Sequence, residues 1–170
     1  LCSNSFLYVE EGDLHAYRGT LNNWELASRL SYFLWSSMPD EKLLERVHQG
    51  DLHIPEVLSR EVRRMLKDKK AHAFVDSFSR QWLQLDKVGM FMPDKELYPT
   101  YSQKLEKNMV SETKEFFREI FSTNASLKEF LDSDWTMLNE RLAKHYNIEG
   151  VKGDHLRRVS LKPEHQRGGI

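Results

Sequence analysis

Cysteine is almost absent from the sequence, since Cys2 is the only one in 170 residues. A single thiol excludes an internal disulfide and the cage of thiolates that a structural zinc site uses. The C-x-x-C-H motif that attaches haem c covalently needs two cysteines, so it is excluded from this segment as well. One thiol leaves the redox compartment of the protein undetermined.

Long apolar runs and an excess of charge of one sign are also missing. No run approaches the roughly 18 apolar residues of a membrane-spanning helix, so we expect no membrane insertion. Twenty-five basic and 26 acidic residues leave a net charge of −1, which supplies no field to attract nucleic acid. The most basic stretch, residues 60–70, is interspersed with acidic side chains. We therefore predict a mixed charged surface there and no nucleic-acid partner.

The sequence also lacks the common catalytic motifs. It has no G-x-S-x-G nucleophile motif, no glycine-rich phosphate loop before a helix and no H-E-x-x-H zinc motif. Glu45 and His48 form one E-x-x-H, whereas a di-iron helical bundle needs two such motifs and two further glutamates. We therefore assign no catalytic, cofactor-binding or metal-ligating residue to this segment. Whether the protein is an enzyme stays open.

Helical periodicity, in contrast, runs through most of the chain. Asn22 and Glu25 stand in the capping-box arrangement before an apolar stripe that Pro39 ends. Gly50 is placed to end a second helix, and Pro55 to begin a third. Three further helices are predicted over residues 71–85 and 102–122 and from Ser126 onward.

The remaining segments complete the predicted fold. Residues 86–102 contain one glycine and two prolines, which predicts a loop whose Met and Phe side chains fold back onto the core. Residues 157–161 read as one extended piece within an irregular tail. With a last helix over 136–146, the sequence predicts an all-α fold, an irregular bundle of about six helices with an extended C-terminal tail.

The stretch DSDWTMLNERLAKHYNIEG, residues 132–150, concentrates polar and ionisable side chains. On the predicted helix, Glu140 and His145 point about 140° apart, at about 100° per residue, so they cannot face one substrate. His145 would lie on or beside the buried face, and residues 132–134 would cap the start of the helix. We favour a structural role for this stretch over an acid–base set that adds Asp134 to Glu140 and His145.

The four tryptophans stand at helix ends or on apolar stripes. Packing in the core, with a partner for the indole N–H, is the expected role at such positions. Trp35 lies off the main stripe and is the candidate for contact with a neighbouring domain.

Two motif blocks, ELASRLSYFLWSSMPD and LNERLAKHY…GVKG…RRVSL…RGGI, carry a resemblance to a known family. The chain resembles the helical domain of unknown function found in large planctomycete-type, cytochrome-c-containing multidomain proteins. The resemblance runs from about residue 21 to residue 170. Asn147 stands where that family usually has glycine after HY; asparagine tolerates the left-handed conformation, so we expect the helix end to be kept.

The resemblance implies a domain division and a setting. Residues 1–20 would be the tail of a preceding domain, 21–160 the helical domain, and 161–170 a linker into a following domain. The chain opens on Leu1 without an initiator methionine, which also suggests a piece of a larger polypeptide. The family setting implies a periplasmic or otherwise exported protein, with haem c elsewhere in the parent protein and no cofactor in this segment. The predicted partners are neighbouring domains of the same polypeptide.

The resemblance assigns no reaction, and so no catalytic residue can be transferred. It does mark motif positions that would form either a polar network fixing the fold or a surface facing the neighbouring domain. With Trp35 and Asp134, the candidate residues are Asn139, Glu140, Arg141, His145, Arg157 and Arg158.

The leading hypothesis is a non-catalytic scaffold or docking module of a multidomain exported, redox-linked protein. The alternative is part of an enzyme whose active site lies between this domain and its neighbour, with acid–base groups from residues 132–140 acting on polysaccharide. A cleft that brings Asp132, Asp134 and His145 together would favour the alternative.

Overall fold

The computed structural model describes residues 21–170, which are divided between two compact units. The first unit ends at Phe74, and the second runs from Val75 to Ile170. The predicted tail of a preceding domain, residues 1–20, lies outside the described residues.

The described part of the first unit is helical, as the sequence predicts. Asn22 accepts a hydrogen bond from the backbone N–H of Glu25 (2.9 Å), and the Glu25 carboxylate accepts one from the N–H of Asn22 (2.8 Å). This capping box satisfies N–H groups that have no partner within a helix. Gly50 ends the second helix with a φ of 72°, and Pro55 begins the third, so both predictions are confirmed. The elements are α1 (Asn23–Trp35), α2 (Glu41–Gln49), α3 (Pro55–Leu66) and a 3₁₀ turn (Lys69–Ala71).

Trp35 lies in the core of this unit. Its side chain is only 3% exposed, and its indole N–H donates to the carbonyl of Met65 at 3.0 Å. The ammonium group of Lys70 lies 4.6 Å from the ring centroid, a cation–π distance. The prediction of a core tryptophan with a partnered N–H is confirmed here, and contact of this residue with a neighbouring domain stays a prediction. The other buried apolar residues are Ala27, Leu34, Leu43, Val47, Leu52, Val57, Met65 and Ala71.

An ionic network joins the start of α2 to α3. The Arg64 guanidinium donates to both carboxylate oxygens of Asp40, at 2.7 and 3.0 Å, and to Glu61 at 2.7 Å. Burial pushes the pKa of Asp40 up, but the hydrogen bonds from Arg64 and from the N–H of Leu43 outweigh it and hold that pKa below its usual value. The Arg64 side chain therefore links α3 to Asp40, the residue that caps the start of α2.

We expect Arg64→Ala to destabilise the first unit by about 1–3 kcal/mol, because Glu61 is only 5% exposed and loses its closest cationic partner. The matched control is Arg60→Ala, an exposed position on the same helix, where we expect a change within about 0.5 kcal/mol. Urea unfolding of both variants measures the difference. Equal losses at the two positions would contradict the role given to Arg64.

The second unit combines helices with a small sheet. α4 begins in the last residues of the first unit and continues into the second. The two strands pair antiparallel, with Trp135 opposite Ser160 and Leu138 opposite Arg157. The elements are α4 (His72–Trp82), α5 (Gln103–Thr123), β1 (Trp135–Leu138), α6 (Glu140–His145), β2 (Arg157–Ser160) and 3₁₀ turns at Leu85–Lys87, Leu127–Phe130 and Pro163–His165.

The sheet corrects the predicted fold class. Residues 21–170 contain six α-helices, but the chain is mostly helical rather than all-α, and its C-terminal tail is partly strand. The predicted helix over 136–146 is wrong in its first half, because all four residues of β1 are buried and Asn139 caps a helix that starts only at Glu140. The predicted extended piece at 157–161 is confirmed as β2.

Two apolar clusters hold the second unit together. In the first, the rings of Phe116 and Trp135 stack with centroids 4.3 Å apart, alongside Ile120 and Met137. The second is formed by Leu105, Leu138, Leu142, Ala143 and Ile148. Both clusters join α5 to β1, because each contains residues of both elements.

Several large apolar side chains stay on the surface. The prediction that the Met and Phe of residues 86–102 fold onto the core is wrong, since Phe91 is 86% exposed and Met90 and Met92 are exposed as well. Trp24 and Trp82 are each about half-exposed, so core packing is confirmed only for Trp35 and Trp135. None of the helices within residues 21–170 is both long and apolar enough to cross a membrane.

Candidate functional site

The C-terminal half of the second unit contains every candidate residue except Trp35. Asn139 is the best connected of them. Its side-chain oxygen accepts from the N–H of Leu142 at 3.0 Å, and its amide nitrogen donates to Asn108 at 3.0 Å and to the carbonyl of Asp154 at 3.2 Å. One buried amide therefore caps α6 and ties that helix to α5 and to the loop before β2.

Glu140 is tied to the same loop. Its backbone N–H donates to the carbonyl of Gly153 at 2.9 Å, and its carboxylate accepts from the Gly153 N–H at 2.8 Å. The predicted i, i+4 pair with Lys144 is confirmed, with 2.6 Å between Nζ and Oε1. The Gly153 hydrogen bond, followed by Lys144, lowers the pKa of Glu140.

The two arginines of β2, Arg157 and Arg158, contact different residues of the second unit. Arg157 donates to the carbonyl of Lys152 at 2.5 Å. The Arg158 guanidinium carbon lies 4.1 Å from the ring centroid of Trp135, and its Nη1 is 3.6 Å from a carboxylate oxygen of Glu119. The Trp135 ring thus contacts both Arg158 and Phe116.

The remaining candidates, Asp134, Arg141 and His145, are exposed. The prediction that His145 lies on or beside the buried face is therefore wrong, because α6 is shorter than predicted and ends at that residue. The capping role given to residues 132–134 is also wrong, since Asn139 caps α6. Asn147 has a φ of 57°, which confirms the left-handed conformation expected there.

A buried carboxylate that sequence reasoning missed lies at the centre of the unit. Glu112, on α5, is 8% exposed. One of its oxygens accepts from the Thr136 hydroxyl of β1 at 2.9 Å, and the other accepts from the phenol of Tyr146 after α6 at 2.7 Å. The sequence did hold a signal for it, because Glu112 falls on the predicted buried stripe of α5, three residues after Met109 and four before Phe116.

Glu112, Thr136 and Tyr146 form what we call the Glu112 cluster. The pKa values of its ionisable groups follow from burial. Burial raises the pKa of Glu112, although the hydrogen bonds from Tyr146 and Thr136 and the charges of Arg167 and His145 oppose the rise. Burial and the neighbouring Glu112 carboxylate also raise the pKa of the Tyr146 phenol. The Arg167 guanidinium carbon lies 3.6 Å from the Tyr146 ring centroid and brings positive charge to the cluster.

Two open concavities adjoin the cluster. One, of about 270 Å³, is lined by Asp132, Ser133, Asp134, Leu161, Lys162, Pro163 and Arg167. The other, of about 260 Å³, is lined by Thr136, Leu161, Gln166, Arg167 and residues 168–170. Asp132 and Asp134 thus share a concave surface, but His145 is not part of it.

The chemical capacity of this arrangement is limited. Both carboxylate oxygens of Glu112 are already hydrogen-bonded, and its burial keeps a substrate from reaching it in this conformation. A general base must come within hydrogen-bond reach of the proton it removes. Within residues 21–170, no three His, Cys, Asp or Glu side chains are grouped as the ligands of a metal ion would be.

Comparison with known proteins adds a family. A family described as PSD4, protein of unknown function (DUF1592), matches residues 21–148. The chain belongs to this family. Neither a curated protein nor a solved structure gives a significant match. The match covers α1 to α6 and the Glu112 cluster up to Tyr146, whereas β2 and Arg167 lie beyond it.

The raised pKa of Glu112 predicts a specific pH dependence. Because the folded state holds this proton more tightly than the unfolded chain, the protonated carboxyl favours folding. That contribution is full below the ordinary pKa of 4.5 and is lost as pH rises through the raised, folded-state value. Relative to Glu112→Gln, which cannot titrate, the wild type should therefore gain stability as pH falls through this window.

Glu140→Gln is the matched control of opposite sign. The pKa of Glu140 is lowered, so its stabilising charge is lost as pH falls through its folded-state pKa. Thermal melts of the wild type and both variants at a series of pH values measure the two trends. If the difference in melting temperature between the wild type and Glu112→Gln did not change with pH, the raised pKa of the buried Glu112 carboxyl would be contradicted.

Proposed function

We propose that this member of the family is a non-catalytic scaffold or docking module within a larger polypeptide. The observation that carries the proposal is how the polar motif residues are used. Asn139, Glu140, Arg157 and Arg158 all contact other parts of the second unit, and none of them lines either of the two concavities described above. Side chains used in this way fix the positions of helices and loops.

The surface proposed for docking is the segment of residues 88–98. Its apolar side chains are exposed to solvent, Phe91 most of all at 86%. Large exposed apolar patches are uncommon on isolated soluble proteins and commonly mark contact surfaces. The apolar residues of the segment are Val88, Met90, Phe91, Met92, Leu97 and Tyr98.

The proposed occupant is a neighbouring domain of the same polypeptide. The charged residues of the segment alternate in sign, with Asp94, Lys95 and Glu96 in succession, so the segment offers no field of one sign to a nucleic acid or an anionic surface. An apolar contact of modest area suits a covalently linked partner, because linkage raises the effective concentration of the two surfaces.

The docking proposal is tested with Phe91→Ser combined with Met92→Ser. In the chain alone we expect little effect on melting, because both side chains are exposed. In the parent polypeptide the same change should separate the melting transition of this module from that of its neighbour in calorimetry, and should speed proteolysis between the two.

Met38→Ser is the matched control, since Met38 and Met92 are both 73% exposed. It should leave the melting of the parent polypeptide unchanged. If the Phe91 and Met92 changes leave the parent equally unaffected, this segment is not the docking surface.

The redox setting and the exported location rest on the resemblance alone and are part of the proposal. They require a C-x-x-C-H motif elsewhere in the parent polypeptide and haem absorbance in the purified parent protein. A parent polypeptide without either would remove the cytochrome association and leave the docking proposal standing.

One observation favours the enzyme alternative, namely that Asp132 and Asp134 line the same concavity. Lys162 and Arg167 line it too, so the concavity holds charges of both signs. Asp132→Asn and Asp134→Asn decide between the hypotheses. If either change abolished polysaccharide hydrolysis by the parent protein and left its melting temperature unchanged, the enzyme hypothesis would be supported and the docking hypothesis refuted.

A further inference from the structure

The last ten residues are held against the second unit by their backbone. We call residues 161–170 the C-terminal strap. The N–H of Leu161 donates to the carbonyl of Asp134 at 2.6 Å, and the N–H of Ile170 donates to the carbonyl of Phe130 at 2.9 Å. The N–H of Gly169 donates to the Ser133 hydroxyl at 3.1 Å. The strap is therefore bound at both ends.

Ser133 has the right chemistry for its position. Its hydroxyl donates to the carbonyl of Trp135 at 2.7 Å and accepts from the N–H of Gly169. A serine hydroxyl supplies one donor and two acceptor sites, so both bonds form together. The side chain is buried, and without Gly169 one acceptor site would lose its protein partner.

Two glycines of the strap lie where no larger residue fits. A Cβ atom on Gly168 would come within 2.8 Å of the carbonyl oxygen of Ser133. On Gly169 it would come within 2.6 Å of the Phe130 oxygen and 2.7 Å of the Leu131 oxygen, and the φ of 71° already disfavours other residues. The obstructing atoms belong to the backbone, which cannot turn aside as a side chain can.

Arg167 provides one of the side-chain contacts of the strap, beside Leu161, which packs against the cluster around Leu138 and Leu142. Its guanidinium lies over the Tyr146 ring at 3.6 Å, the arrangement of a cation–π pair. Its charge also acts on Glu112, which is hydrogen-bonded to that same tyrosine. Ile170, in contrast, is half-exposed, so the position after the glycines is less restricted.

We propose that the groove formed by residues 130–133 and Tyr146 is a binding site for an Arg-Gly-Gly peptide segment, filled here by the chain's own residues 167–169. Tyr146 selects the arginine, and the carbonyls of residues 130, 131 and 133 select glycine at the next two positions. The Ser133 hydroxyl and the Phe130 carbonyl accept hydrogen bonds from the backbone N–H groups of Gly169 and Ile170. The strap is then part of the folded unit rather than a free linker, and the proposal is independent of docking through residues 88–98.

Amide hydrogen exchange in the full chain tests the occupied groove. In the wild type the N–H groups of Gly169 and Ile170 should exchange slowly. Gly169→Ala should speed their exchange by roughly tenfold or more, as local opening becomes easier. The matched control is Gly50→Ala, because Gly50 has a φ of 72° but open space around a Cβ, so it carries the same backbone strain without the clash.

A second variant distinguishes release of the strap from unfolding of the whole unit. Arg167→Ala keeps both glycines and should also speed exchange at Gly169 and Ile170, whereas Lys162→Ala, an exposed position of the strap, should not. Wild-type amides that exchange as fast as those of an unstructured peptide would overturn the proposal. So would equal effects of Gly169→Ala and Gly50→Ala on those two amides.

Binding in trans tests recognition. The peptide LKPEHQRGGI, residues 161–170, is added to the Gly169→Ala chain, whose groove should be open. We expect saturable shifts of the NMR signals of Ser133 and Tyr146, and none with the peptide that carries Gly169→Ala. Absence of binding by the wild-type peptide would refute a recognition site. Exchange protection that rises with wild-type concentration would assign the bound strap to a second copy and overturn the own-chain form.

Discussion

One buried carboxylate sets the arrangement of the second unit. Removing Glu112 from water is costly unless its oxygens find donors, and an interior carboxylate tolerates few geometries. Its two donors come from β1 and from the residue that follows α6, so two further parts of the chain must converge on one point of α5. The apolar clusters on either side supply the driving force for packing, and Glu112 restricts which packing is allowed.

Further polar contacts connect the Glu112 carboxylate to the rest of the second unit. Tyr146 receives Arg167 on its ring, which brings the C-terminal strap to the centre of the unit. Asn139 and Glu140 hold the loop before β2, so that the second strand can pair with β1. Asn139, Glu140, Arg157 and Arg158 are thus distributed over separate contacts within the second unit, whereas Asp134, Arg141 and His145 are exposed. The contacts of the first four residues link different segments of the chain, which supports the proposed scaffold over an active site.

The parts of the fold that depend on local chemistry could be predicted from the sequence. The capping box at Asn22, the glycine end at Gly50 and the long helix α5 each follow from residues within a few positions of one another. The sheet could not be predicted in the same way, because Trp135–Leu138 becomes a strand only through its partner Arg157–Ser160, and the intervening residues give no hairpin signal. The error over 136–146 arose because the helical spacing of Leu138 and Leu142 hid the capping asparagine between them. Glu112 was missed for a related reason, since a glutamate on an amphipathic helix is usually solvated, and only its place on the apolar stripe marks it as buried.

The most direct test of this account is a double-mutant cycle between Glu112→Gln and Tyr146→Phe, with the free energy of unfolding measured for the wild type, both single variants and the pair. If the buried carboxylate and the phenol act as one joint between α5 and α6, the two losses should fall short of additivity by roughly 0.5–3 kcal/mol. Losses that add to within about 0.3–0.5 kcal/mol would show that the two side chains contribute independently, and the unit would not depend on Glu112 as described.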